Sequence, residues 1–302
     1  MVKMFSRRNL LIMAGALAIG GGAFLFGRDL PGKDNQSIVE HRVKPWQEYG
    51  TQLARMKTGS NNRIYVVAMR HRRPFDKKAD KDVGKVQAEV YRVAEDLIVN
   101  HDVSLMLSEW ARYEPPLDNS VLRQYVNDVL NDARISLSRN IDDKSLEKIL
   151  QDDSLVREKP AMDMCAEALL LINYRTDLQG IEDMKVRGID HELVMDPKKY
   201  DEKLFDHISK FRNAAMLQNA PKVIERELEA GRTANKNAVV LVGQLHMQHM
   251  MDSVGNGRVV VPELPSYGLP AVDEELNVKK LGYDITFISP KSLMSYWKKF
   301  PR

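Results

Sequence analysis

The sequence predicts an α/β fold: a mainly parallel β-sheet core flanked by helices, with an inserted helical region. Two observations carry this. A short β-rich run occurs at 63–69, a further apolar segment at 103–109 and a continuous, mostly β-branched run at 238–242; a continuous run that does not alternate belongs to a strand buried on both faces. Between them lie segments with apolar residues at helical spacing, the alternation that builds a parallel sheet with crossover helices.

The elements follow in order. Residues 1–27 read as a sorting segment. Ser6-Arg7-Arg8-Asn9-Leu10-Leu11 precedes an apolar stretch, 10–26, that holds no charge. Paired arginines before such a stretch resemble a twin-arginine export signal. The stretch is also about long enough to span a bilayer, so a cleaved signal and an uncleaved anchor over residues 9–27 both stand. Either places the body of the protein in the periplasm or another extracytoplasmic space, with the export machinery as a partner and the membrane as a second one if the segment stays. Residues 28–60 are polar and read as a linker, with one short helix over 43–56.

The domain is expected over 61–302. A strand at 63–69 ends in Ala68-Met-Arg-His71, a helix fills 83–100, and a second strand at 103–109 ends in Glu109. This β-α-β unit predicts a parallel pair, with His71 and Glu109 at neighbouring strand ends. Helices over 119–135, 143–155 and 160–174 make an insertion at about 115–175 that covers the sheet edge. A short third strand at 185–190 ends in Asp190. A long helix follows over 200–230, with Pro221 as a kink and Gly231 as its stop. The fourth strand, 238–242, leads through Gly243 into a short helix carrying His246 and His249 on one face. Two more strands are expected at 258–262 and 284–288, the latter at an edge. The tail reads as a surface helix end; the alternative has Trp297 and its neighbouring lysines touching a membrane surface.

Composition sets outer limits. The chain has 302 residues, 43% hydrophobic and 29% charged, with a net charge of +3. So small a charge leaves no nucleic-acid footprint. The single cysteine, Cys165, permits no intrachain disulfide, and its apolar helical neighbours mark a buried structural thiol.

Four strand ends thus carry His71, Glu109, Asp190 and His246, and a parallel sheet gathers its strand ends along one edge, where ligands bind. The order of the motifs Ala68-Met-Arg-His71, Ser108-Glu109, Arg187-Gly-Ile-Asp190, Arg212-Asn-Ala-Ala-Met216 and Gly243-Gln-Leu-His246 resembles the superfamily of TraB/GumN and Tiki proteins, ChaN-like proteins and erythromycin esterases. The resemblance spans roughly 61–252 and departs at Ala68, where the family has Gly. It implies a hydrolase acting on a peptide, an ester or a similar small molecule. His71 or His246 would be the general base, Glu109 would share the proton, and Arg212 would bind a carboxylate or oxyanion. Tiki-like relatives imply a divalent metal. Zn, Mn or Co would suit His71, Glu109, Asp190 and His246 as ligands. ChaN-like relatives imply the alternative, haem or metal binding without catalysis, with Met247, Met250 and Met251 near the group.

Overall fold

The computed structural model describes residues 43–70, 81–112, 142–151, 165–174, 176–195, 201–276 and 281–297. All belong to one of the two compact units of the chain, residues 41–302. Its strands are β1 (Gly50–Met56), β2 (Arg63–Met69), β3 (Leu105–Arg112), β4 (Asp177–Glu182), β5 (Ala238–Gly243), β6 (Arg258–Val261), β7 (Val272–Glu275) and β8 (Asp284–Pro290). Six form one sheet in the order β1-β8-β2-β5-β3-β4, and β6 and β7 pair separately as an antiparallel ribbon. Within the large sheet all neighbours are parallel except the edge strand β1, which runs antiparallel to β8. The protein therefore has an α/β fold. Every residue of β5 is buried, as expected for the centre of a sheet covered on both faces.

The helices are α1 (Lys81–Asn100), α2 (Asp143–Gln151), α3 (Cys165–Asn173), α4 (Met184–Met195), α5 (Glu202–Glu229), α6 (Gln244–Asn256) and α7 (Met294–Trp297). On one side α1 packs on β1, β2 and β8; α5 and α6 pack on β2, β3, β4 and β5. Between these last helices and the sheet lies an apolar crevice lined by Ile64, Val66, Val240, Met216, Met250 and Val254. Met247 and Met250 belong to this core. None of the described helices is long and apolar enough to cross a membrane.

Several expectations change. The short helix over 43–56 is instead a brief 3-10 turn at Trp46–Glu48 followed by β1. Part of the expected linker is thus a strand of the sheet. Gly50 makes the close approach possible: a Cβ there would lie 2.8 Å from Ile288 Cγ2. β2 and β3 are not neighbours, because β5 lies between them. β8 is not an edge, since β1 covers it. The strand expected at 185–190 is the helix α4. Asp183 Oδ1 accepts from the Lys185 and Val186 amides, at 2.8 and 3.1 Å, which starts a helix directly after β4. The third parallel strand is β4, earlier in the chain, so Asp190 sits on a helix and not at a strand end. α5 continues through Pro221 and ends, as expected, before Gly231 with φ +68°. Trp297 is buried, its Nε1 donating to Ser289 Oγ at 2.6 Å, so it presents no ring to a membrane. In the insertion, α2 and α3 pack against α1. The helix expected over 119–135 lies outside the described residues, as do the export segment and the side chain of Cys165.

Candidate functional site

The site lies at the C-terminal edge of the three strands β5, β3 and β4. It begins where β3 stops behaving as a regular strand. The β3–β5 ladder ends at Ser108 and Leu241. On the other flank Ser108 pairs with Gly180 but Arg112 with Glu182, so β3 carries extra residues between them. Such bulges end pairing and re-aim side chains. Glu109 stands at this point and is 2% exposed. Its Oε2 accepts the Gly243 N–H at 2.9 Å, and its backbone carbonyl accepts from Arg187 Nη1 at 2.7 Å. A side chain and a guanidinium thus take bonds that a regular ladder would have used.

Gly243 is also the N-cap of α6, so the Glu109 carboxylate sits at a helix N-terminus, where backbone dipoles favour negative charge. In the first turn of α6, His246 turns back toward β3. Its Nε2 lies 3.6 Å from Glu109 Oε2. Its Nδ1 bonds Asn213 Oδ1 of α5 at 2.7 Å. The same amide reaches His249, one turn further along α6, with Nδ2 at 3.0 Å from His249 Nδ1. His249 Nε2 lies 3.4 Å from Asp206 Oδ1 near the surface, and Asp206 Oδ2 pairs with Lys210 Nζ at 2.7 Å. The strand–Gly–helix turn is what makes this geometry: a buried apolar run ends at a residue without a Cβ, and the following helix presents His246 at once.

Beside this lies a second cluster. Glu182 ends β4 with no exposed surface. Arg212 of α5 pairs with it through Nη2, and through Nε at 3.1 Å to Oε1 and 3.4 Å to Oε2. Arg212 Nη1 holds Asp190 Oδ2 of α4 at 2.8 Å. Asp190 Oδ1 is buried without a hydrogen-bond partner. Burial pushes the Glu182 carboxyl up to about 7; Arg212 opposes the rise and the charge of Glu109 adds to it. Burial also raises Asp190, again against Arg212. It lowers Arg187, which Glu182 works to hold charged. Burial disfavours the charge of Arg212 too, but Glu182 and Asp190 outweigh it and its pKa is raised.

Of the residues expected from sequence, the structure brings Glu109 and His246 together. It places Arg212 and Asp190 next to them, tied to each other and to Glu182. Arg212 therefore holds the protein's own carboxylates, not the position expected for a substrate anion. His71 lies outside the described residues. Ala68 is a fully buried member of β2 paired with Val242. Its φ is not positive, so a Cβ is no strain there. The sequence reading assigned no role to Asn213, Arg187, Glu182 or Asp206. A signal for Glu182 existed: Gly180-Ile181-Glu182 repeats, eight residues earlier, the Gly-x-acid pattern of Gly188-Ile189-Asp190. Asn213 was visible beside Arg212, but only the packing of α5 on α6 gives it a task.

No family model, curated protein or solved structure matches the chain.

Proposed function

We propose that the protein is a hydrolase-like enzyme in which His246 exchanges the proton and Glu109 is its charge partner. The observation that supports this is a buried imidazole facing a buried carboxylate across 3.6 Å, at the C-terminal edge of a parallel sheet. Nδ1 is committed to Asn213, so Nε2 is the nitrogen that meets Glu109. His246 takes a proton from an attacking water at Nε2. The Glu109 carboxylate, which accepts the Gly243 N–H at the start of α6, stabilises the imidazolium so formed. His246 then returns the proton to the leaving group, as a general base becomes a general acid in hydrolysis. The substrate class is a peptide, an ester or a similar small molecule.

A divalent metal such as Zn, Mn or Co would polarise the substrate and activate the water. Among the described residues no group of three or more His, Cys, Asp or Glu is placed to hold one. Glu109 and His246 supply two donors, and Asp190 is drawn off toward Arg212. The described donors do not make a complete centre, and no step here runs through a metal.

The test compares the wild type with His246→Ala on a panel of peptides and esters, with denaturant unfolding as a control. We expect turnover to fall by about 10²–10⁴-fold, the usual worth of an acid–base group, with the unfolding midpoint little changed. Full activity in the variant would overturn the reading. The proposal includes export through the twin-arginine route, motivated by Arg7 and Arg8. Replacing both with Lys should leave the protein in the cytoplasm; unchanged export would show another route.

A further inference from the structure

We propose that Arg187 is a positioning residue for Glu109: by holding the Glu109 backbone carbonyl, it leaves the Gly243 N–H to the Glu109 carboxylate and so aims that carboxylate at His246. The inference rests on the reading of Glu109 and His246 as the reacting pair.

Two oxygens of Glu109 compete for one hydrogen. In a parallel ladder, a residue that turns its N–H and C=O toward a neighbouring strand bonds to the two residues flanking its register mate, and its N–H goes to the carbonyl of the one before. The β3–β5 register sets Ser108 against Leu241. Carried on by two places, it would set residue 110 against Gly243, and the Gly243 N–H would go to the carbonyl of Glu109. That N–H does point toward β3, but it meets Oε2 of the same residue's side chain, at 2.9 Å. A peptide N–H has one hydrogen to give. The Glu109 carboxylate has therefore taken the bond that its own carbonyl would have made.

The displaced carbonyl needs another donor, because buried backbone groups are rarely left unpaired. Arg187 of α4 supplies it, with Nη1 at 2.7 Å from Glu109 O. Each group has one role: the guanidinium and the peptide N–H donate, and the carbonyl accepts. The backbone has the slack for the exchange. Between the pairs Ser108–Gly180 and Arg112–Glu182, β3 has residues 109–111 where β4 has Ile181 alone, and such a bulge turns groups out of the ladder. Local sequence puts Arg187 in place. Asp183 follows the last residue of β4 and starts α4 by accepting the Lys185 and Val186 amides. The Arg187 amide closes this first turn onto Asp183 O at 2.9 Å. One turn on, Asp190 is held by Arg212 Nη1 at 2.8 Å, and Val186 and Leu193 bury the helix against the body. The oxygen that accepts the Gly243 N–H is also the one 3.6 Å from His246 Nε2. Returning the N–H to the carbonyl would release that oxygen from its place beside the ring.

The test is the crystal structure and the hydrolysis kinetics of full-length Arg187→Met, which keeps an apolar stem and removes the donors. The Gly243 N–H should pass from Glu109 Oε2 to Glu109 O. kcat should fall by about 10²-fold, the cost of a misplaced reacting group, with KM little changed. Arg187→Lys, which keeps a donor, should recover part of kcat. In a Glu109→Gln background Arg187→Met should lower kcat no further, since no carboxylate is left to aim. Arg187→Gln, whose shorter amide stops short of the bulge, is the second variant if the first does not fold, with the same expectations. A carboxylate that keeps the Gly243 N–H in the variant would overturn the proposal. So would an unchanged kcat, or losses that multiply with Glu109→Gln as a general packing role would make them. The crystallographic readout does not depend on turnover. A switched bond in a chain without hydrolytic activity would sink the proposed function and leave the positioning role; turnover that needs His246 but is indifferent to Arg187→Met would do the reverse.

Discussion

One carboxylate ends β4 and another stands at the bulge of its neighbour β3, and the molecule treats them in opposite ways. Glu182 at the end of β4 is saturated by Arg212, which also ties down Asp190. Glu109 at the bulge of β3 meets a helix N-terminus and an imidazole that can gain and lose a proton. The first arrangement gathers two buried carboxyls around one fixed cation. It ties α4 and α5 to the end of β4. The second pairs a carboxylate with the side chain best suited to change charge near neutral pH. On the proposed function, identical side chains on neighbouring strands are thus given one holding task and one chemical task by what the helices bring to them.

The sharpest way to break this contrast is to neutralise each carboxylate in turn. Glu109→Gln keeps an acceptor for the Gly243 N–H but removes the charge that stabilises imidazolium. Turnover should fall by about 10²–10⁴-fold while unfolding in urea moves little. A variant that unfolds readily yet turns over normally would reverse the two roles.

Arg212→Met should do the opposite. It leaves Glu182 and Asp190 buried without their cation, a loss of about 3–5 kcal/mol when one partner of a buried pair is removed. Urea unfolding measures it. A midpoint equal to that of the wild type would show that the cluster does not hold the helices.

A smaller effect lies in the pH dependence of stability. The Glu182 carboxyl is raised from 4.5 to about 7, chiefly by burial. The folded chain therefore binds this proton more tightly than the unfolded chain between those values. Its contribution is fully present below about pH 4.5 and is lost as pH rises through 7. Glu182→Gln stays neutral throughout, so the fall in stability across this window should be shallower in the variant, by on the order of 1–3 kcal/mol. Identical slopes in wild type and variant would contradict the assignment.

Much of this organisation was legible in the sequence, and the failures share a cause. Ala238–Gly243 and Arg63–Met69 announce themselves because buried parallel strands need unbroken β-branched runs. Glu109 could be read because it closes an apolar segment, and His246 because it comes one helical turn after an unbroken run. Asp177–Glu182 offers only Leu and Ile among polar residues and Gly, so its strand nature comes from its pairing with β3. The stretch just after it, with Val186 and Ile189, looked more like a strand until Asp183 capped it as a helix. Gly50–Met56 contains Leu, Ala, Met and Gln, good helix formers, and becomes a strand because β8 offers an antiparallel partner. Asn213 was unreadable for a different reason. Its role depends on one helix lying against another, and spacing along the chain carries no record of that.

The central claim is that Glu109 and His246 act as a unit. The most direct measurement is a double-mutant cycle of Glu109→Gln and His246→Ala on whichever substrate the wild type hydrolyses. Groups that share one proton are strongly non-additive. The double variant should be no slower than the slower single variant, within a few-fold. Losses that multiply, each variant lowering turnover independently of the other, would contradict the account.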